Sequence, residues 1–465
     1  MALVFKSIIV ITTVIVLWSA YKVSNILTPP PLPKLDENAY WGPGKAKADD
    51  PAIKAFKVNI PDKVIEDLNR RLDNTRELTK PLEGIDFQYG FNSDTLQKII
   101  AFWRKEYKWR DREVFLNQYP QFKTQIQGLD LHFIHVKPKI TGSIKRTIPL
   151  LMMHGWPGSV REFYSLIPLL TTKPLHGADF AFEVIVPSLP GFGFSQAAAR
   201  PGLGAAQIAI VFKNLMKRLG HEKFYVQGGD WGALIASSMA TLLPNHVLGV
   251  HSNMCGSNSP KSVLKLLISS VFPSLILEPE HVGKIYPLSK LGNFIFEESG
   301  YMHIQSTKPD TVGVALSDSP AGLAAYIIEK FSTWTNPEWK AIKDGGLTKK
   351  YTYTDLLDNI MIYWVSGSVT SSMRIYAEAF SKNHMALQLD NIPTEVPTAC
   401  ALFKNELAFS TESMIRDKFS NLVQYNYFDD GGHFAAFELP QVMAKDIWTA
   451  IVKMETKPKE TKKEN

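Results

Sequence analysis

Gly228-Gly229-Asp230-Trp231-Gly232 has the form of a nucleophile elbow, a sharp strand-to-helix turn that lifts a reactive side chain above a sheet, with a carboxylate where a serine commonly stands. The flanks suit such a turn. Lys223 to Gln227 reads as a short buried strand, and Ala233 to Leu243 as a helix in which Gly232, Ala233, Ala236, Ser237 and Ala240 permit close packing. The glycines beside Asp230 supply the unusual backbone angles. An ordinary glycine-rich turn also explains the pentapeptide taken alone, so its meaning depends on its surroundings.

Moving outward, Pro149 to Met153, Phe182 to Val186, Phe224 to Gln227 and Val247 to Ser252 are apolar strands that alternate with helices or long connections. Strand-like runs resume at Val396 to Phe403 and Leu422 to Phe428. This alternation is the signature of an α/β protein whose parallel sheet is covered on both faces. Residues 146–255 and 395–455 are expected to form this core, and the helix-rich, aromatic stretch 256–394 to be a lid inserted into it. Before the core, residues 23–145 open with the stiff linker Pro29-Pro30-Pro31-Leu32-Pro33 and contain amphipathic helical stretches at Val64 to Leu72 and Leu96 to Lys108.

The 465 residues, 45% hydrophobic and 21% charged, suffice for one large core with insertions. A net charge of +6 is spread along the chain and not gathered into an arginine stripe, which argues against a nucleic-acid partner. Residues 1–22 carry no charged side chain apart from Lys6 and Lys22 and are rich in Ile, Val and Leu, and they read as a membrane anchor, with a cleaved signal peptide as the rival. The lysine-rich tail 456–465 ends Lys462-Lys463-Glu464-Asn465, similar to a dilysine retrieval signal of endoplasmic-reticulum membrane proteins. Cys255 and Cys400 are not spaced as a metal or redox pair, and no N-x-S/T acceptor occurs. Together these features lead to the expectation of a single-pass protein of the endoplasmic-reticulum (microsomal) membrane whose catalytic part faces the cytosol.

His154-Gly155-Trp156-Pro157-Gly158-Ser159 follows the first core strand, where hydrolases of this architecture place one backbone N–H of an oxyanion hole; the other comes from the residue after the nucleophile. Those positions are Trp156 and Trp231, and His154 is then structural. Pro190-Gly191-Phe192-Gly193-Phe194-Ser195 lacks the full dinucleotide fingerprint. The chain order nucleophile, acid, histidine points to His433, in Gly431-Gly432-His433-Phe434, as the base. Glu406, just after the Val396 to Phe403 strand, is the preferred orienting acid, with Asp429 and Asp430 as rivals.

Over almost its whole length the chain resembles the microsomal epoxide hydrolases. The carrying motifs are Tyr40-Trp41-Gly42-Pro43-Gly44, Tyr89-Gly90-Phe91-Asn92, Phe133-Ile134-His135-Val136, the His154 loop, the Asp230 elbow, Gly300-Tyr301-Met302-His303-Ile304-Gln305 and Gly431-Gly432-His433-Phe434-Ala435-Ala436-Phe437. Within that family, the linker followed by Leu35-Asp36-Glu37-Asn38 is most similar to insect juvenile hormone epoxide hydrolases. The resemblance implies an α/β-hydrolase fold with a helical lid and an N-terminal extension. It also implies Asp230 as nucleophile, Glu406 as the orienting acid, His433 as the base, and Tyr301 and Tyr376 as lid tyrosines holding the epoxide oxygen. The implied partners are a lipophilic epoxide, water and the membrane, with no metal or organic cofactor.

The chemistry matches these residue types. An epoxide needs a positioned nucleophile together with proton donation to a poor leaving alkoxide. A haloalkane dehalogenase shares the aspartate elbow but needs halide donors in place of paired tyrosines. A serine esterase is disfavoured by the carboxylate, and a catalytically silent ligand-binding relative would be expected to lack one of Asp230, Glu406 or His433.

Overall fold

The computed structural model describes residues 24–142 and 144–456, together with Trp18, Tyr21 and Lys22. The expected anchor lies outside the described residues apart from those three, and so does the tail beyond Thr456. Among the described residues no single helix is long and apolar enough to cross a membrane.

One nine-stranded sheet runs through the molecule in the order β1-β2-β3-β5-β4-β6-β7-β8-β9. Its parallel part comprises β4 (Arg146–Met153), β5 (Phe180–Pro187), β6 (Phe224–Gly228), β7 (Val247–Ser252), β8 (Thr398–Phe403) and β9 (Leu422–Phe428). Every residue of β5, β6 and β8 is buried, as expected for strands with helices on both faces. The chain leaves β4 toward β5 on one side and leaves β6 toward β7 on the other, so the crevice between the ends of β4 and β6 is the topological switch point. Ligands of open α/β sheets bind at such a crevice. The loops carrying Trp156 and Asp230 meet there.

The antiparallel edge was not apparent from periodicity. β1 (Lys54–Phe56), β2 (Gln121–Ile126) and β3 (Leu129–Val136) pair in sequence, and β3 joins β5 antiparallel. Leu131, His132, Phe133 and Ile134 are all buried, so β3 has no polar face to produce alternation. Its hairpin turns through Gln127 and Gly128, both with positive φ, as a two-residue hairpin requires. Asp49 accepts from both turn amides, at 2.6 and 2.7 Å. The helices Asp62–Asp73, Ser93–Lys105 and Trp109–Leu116 complete this region; Asn92 caps the second by accepting from the Asp94 and Thr95 amides.

The helical region between β7 and β8 is tied to both other parts of the chain. Asp358, fully enclosed on the helix Tyr353–Ser366, accepts a bidentate pair of bonds from Arg112 at 2.8 and 2.6 Å, one from Tyr107 at 3.0 Å and one from Arg161 at 3.1 Å. These donors come from the N-terminal helices and from the loop after β4.

The two cysteines require a correction. Cys255 and Cys400, 145 residues apart, form a disulfide with Cα atoms 5.8 Å apart. The lid is inserted between the adjacent strands β7 and β8, which brings together residues whose spacing showed no pairing. The support their spacing lent to a cytosolic side is withdrawn, since disulfides persist in oxidising compartments.

Candidate active site

Asp230 caps the helix Trp231–Leu242 with φ 49° and ψ −127°. Such an angle in a residue with a side chain is strained, and the elbow imposes it by crowding. A Cβ on Gly228 would stand 2.3 Å from the Gly232 backbone, and one on Gly232 would stand 2.1 Å from the Met153 carbonyl oxygen. Only hydrogen at both positions lets strand, turn and helix approach this closely.

The Asp230 carboxylate lies across the loop after β4. Its Oδ1 accepts the Trp156 backbone N–H at 2.7 Å, and a Cβ on Gly155 would come within 2.0 Å of that oxygen. Trp231 is the first residue of the elbow helix, so its N–H has no intrahelical partner and sits at the positive end of the helix. His154, beside them, is enclosed; its Nε2 accepts from the Leu189 N–H at 3.2 Å, and burial lowers its pKa to about 4. It is a neutral strut.

His433 approaches Asp230 from the loop after β9. Its Nε2 is 3.3 Å from Asp230 Oδ2, and its Nδ1 is 2.8 Å from Glu406 Oε1. Glu406, on the loop after β8, also accepts its neighbour's amide, from Leu407, at 2.7 Å. Of the two rivals for the acid, Asp430 is engaged by Lys350 at 2.7 Å, and Glu406 is the carboxylate bonded to the ring. Burial opposes charge on His433, yet the Glu406 and Asp230 carboxylates outweigh it and hold the imidazole well above its ordinary range.

The lid supplies the roof. Tyr301, on the helix Gly300–Thr307, stacks on Trp156 with ring centroids 5.3 Å apart and planes 7° from parallel. Tyr376, on the helix Val369–Ala379, meets Trp231 edge-on at 4.7 Å, and the two tyrosine rings are 5.8 Å apart. Burial, reinforced by the Asp230 charge, raises both phenols, so each keeps its proton at neutral pH. Asp230, Glu406, His433, Tyr301, Tyr376, Trp156 and Trp231 thus share one site. Trp334 closes it, its ring edge-on to His433 at 5.0 Å and its carbonyl accepting the His433 N–H at 2.9 Å.

Two further acids stand by the site, Glu438 buried and Glu162 half-buried. Glu438 accepts the N–H groups of Gly432 and Phe434, both at 2.9 Å, and so clamps the backbone on either side of His433. It stands five residues beyond the histidine, a spacing with no general meaning. Glu162 packs against Gly158, where a Cβ would overlap its carboxyl, and it lines a cavity of about 20 Å³ with Asp230, Asn253 and His433. That volume admits about one water. Burial raises the pKa of Glu162 to about 8, with His433 opposing and Asp230 reinforcing the shift. The signal was present in Ser159-Val160-Arg161-Glu162, where a glutamate three residues after a cap reads as a capping box.

A larger cavity of about 430 Å³ lies beside Glu406 and the start of the elbow helix, walled by Leu234, Leu266, Ile285, Leu291, Phe294 and Phe409. It is predominantly apolar and does not include Asp230. Elsewhere, His135, Glu183 and His221 converge from β3, β5 and the loop before β6, with both imidazoles on Glu183 Oε1 at 2.7 and 3.2 Å. They stand 48 and 38 residues from Glu183 in the chain, so no ligand spacing marks the cluster.

An aspartate elbow at the switch point, a histidine after β9 and its acid after β8 define an α/β hydrolase. A model of the alpha/beta hydrolase fold matches residues 148–290, and one of the epoxide hydrolase N terminus matches residues 53–163. The chain is 55% identical to juvenile hormone epoxide hydrolase 1 of Ctenocephalides felis, over 91% of this chain and 90% of that one. It is 49% identical to epoxide hydrolase 1 of Oryctolagus cuniculus, over 88% and 91% respectively. The crystal structure of juvenile hormone epoxide hydrolase from the silkworm Bombyx mori superposes with a TM-score of 0.89 at 50% identity, covering 90% of this chain and 99% of that one. The chain therefore belongs to the epoxide hydrolase family.

Proposed function

We propose that this epoxide hydrolase converts lipophilic epoxides, of the terpenoid juvenile hormone type and xenobiotic epoxides, into vicinal diols through a covalent alkyl ester on Asp230. The observation that carries the mechanism is the chain Trp156 N–H to Asp230 to His433 to Glu406. It distinguishes the two carboxylate oxygens: Oδ1 is held by an amide, and Oδ2, 3.3 Å from the His433 imidazole, is the one that attacks.

In the first step Oδ2 bonds to one ring carbon while that carbon's bond to the epoxide oxygen breaks. Tyr301 or Tyr376 gives its proton to the departing alkoxide; a neutral phenol donates without placing charge in an apolar pocket. In the second step His433 takes a proton from water, and the water oxygen attacks the ester carbonyl. The Trp156 and Trp231 amides stabilise the resulting oxyanion. Collapse releases the diol and restores the carboxylate, and the proton on His433 returns to the tyrosinate. Ester formation also removes the Asp230 charge, one of the two influences holding His433 protonated, so the imidazole becomes a competent base when a base is needed.

Asp230→Ala is expected to abolish diol formation, and His433→Gln to slow turnover by at least about 10³-fold while an adduct accumulates on the Asp230 peptide. Mass spectrometry of that peptide after brief exposure to substrate is the test, and an adduct on any other residue sinks the mechanism. Comparing kcat/KM for a juvenile hormone and a styrene-type oxide separates the two substrate classes; similarity to the flea and silkworm enzymes favours the first. The apolar segment 1–22 and the Lys462-Lys463 tail support residence at the endoplasmic-reticulum membrane. The tail favours the cytosolic face and the Cys255–Cys400 bond an oxidising one; protease digestion of intact and permeabilised microsomes tells them apart.

A further inference from the structure

The helix Pro260–Ile268, at the start of the lid, is amphipathic in the wrong sense for a surface helix of a water-soluble protein. Its fully buried side chain is a serine: Ser262 lies 3.0 Å from Asp417, and Lys265 turns inward to the same carboxylate at 2.9 Å. Its outward face carries Leu264, Leu267 and Ile268, and the chain continues it with Val271 and Phe272. These five side chains are 40% to 69% exposed. The nearby helix Leu288–Glu298 adds Ile295 at 50% and Phe296 at 88%. Exposed apolar side chains in this number mark an interaction site.

The charges around it suit one occupant. No Asp or Glu occurs from Trp231 to Leu277, while Lys261 and Lys290 stand exposed on the same two helices. The second helix ends in Glu297 and Glu298, which Lys340 engages at 3.0 and 3.8 Å, so the acid-free face is that of Pro260–Ile268 and its continuation; an apolar face with a basic residue and no acid is the pattern of a helix lying in a lipid interface with anionic headgroups. The large cavity lies beside the same elements and reaches Glu406, though not Asp230. Leu266 of the first helix, and Leu291 and Phe294 of the second, line it, so each helix has one side toward the cavity and another toward the outside.

We propose that the outward faces of Pro260–Ile268 and Leu288–Glu298 dock on an anionic phospholipid surface, so that the apolar cavity opens where lipophilic molecules are dissolved. Docking here is separate from any contact made by residues 1–22, and the entry role rests on the epoxide reading while the docking itself does not.

The test uses the full chain. Among the described residues no cysteine is free, so Leu267→Cys, Val271→Cys and, as a remote exposed control, Val114→Cys each introduce one labelling site for an environment-sensitive dye. In phosphatidylcholine–phosphatidylserine vesicles containing a quencher-bearing lipid, the dye at 267 and 271 is expected to be quenched about threefold more than at 114. Equal quenching at the three positions overturns the proposal. So does shielding at 267 that grows with protein concentration without vesicles, which indicates a second copy, and so does shielding that persists in detergent without lipid quenching, which indicates the chain's own N-terminal segment. A second arm measures turnover of L264D/L267D. Hydrolysis of a water-soluble epoxide should stay within about twofold, while hydrolysis of a vesicle-partitioned epoxide falls about tenfold. An equal fold-change for both substrates refutes the entry role, and the quenching arm stands independently because it reads no turnover.

Discussion

His433 lies between two carboxylates, and its protonation state depends on whether one of them still carries a charge. In the free enzyme burial disfavours the imidazolium, but Glu406 and Asp230 together raise it. In the proposed ester only Glu406 would remain. The apparent pKa of the alkyl-enzyme, read from the pH dependence of the slow hydrolysis step, should therefore lie below that of the free enzyme, read from kcat/KM or the imidazole NMR signal. Equal values count against the coupling. Glu162 offers a second titration, this time of stability. Its folded pKa of about 8 lies above the ordinary 4.5, so the fold favours the protonated acid. That contribution is complete below the unfolded value and is lost as pH rises through about 8. Glu162→Gln should accordingly flatten the fall of Tm with rising pH across this window by a few degrees; an unchanged slope in a thermal-shift series contradicts it.

At the scale of elements, Asp358 joins three parts of the chain through Arg112, Arg161 and Tyr107. Removing it leaves the Arg112 guanidinium without a counter-charge, while Arg161 keeps Asp355 at 2.6 Å; breaking a buried pair costs about 3–5 kcal/mol. Asp358→Ala should lower the denaturant midpoint by a corresponding amount while Asp358→Asn loses less, as measured by urea titration. None of this network was legible in the sequence, because its members lie up to 251 residues apart. The triad was legible for the opposite reason: Asp230, Glu406 and His433 each follow a recognisable buried strand, and their order along the chain is itself informative. Tyr301 and Tyr376 came only from resemblance, since nothing distinguishes them among 16 tyrosines until folding stacks them on Trp156 and against Trp231. Element ends shifted where caps were overlooked. The expected Leu96 to Lys108 helix runs Ser93–Lys105 because Asn92 starts it.

For the molecule as a whole, the Cys255–Cys400 bond closes a loop that contains the entire lid. In the chain-entropy account, a cross-link of this span contributes up to about 5 kcal/mol by restricting the unfolded state. Cys400→Ser should lower Tm, and alkylation without reductant should label neither cysteine of the native protein; labelling both refutes the bond. The lid is held from the other side as well. Asn359 donates to the Pro157 carbonyl at 2.8 Å and accepts from Ser159 at 2.8 Å, and Tyr363 donates to the Gly158 carbonyl at 2.7 Å. The loop that fixes Asp230 Oδ1 is thus supported by a helix that lies, in sequence, two hundred residues away. Substrate scope in such a scaffold cannot be exchanged as one cassette. A graft of everything between β7 and β8 would also replace the struts that aim the Trp156 amide, whereas one ending before Tyr353 would change the walls and leave the aim untouched.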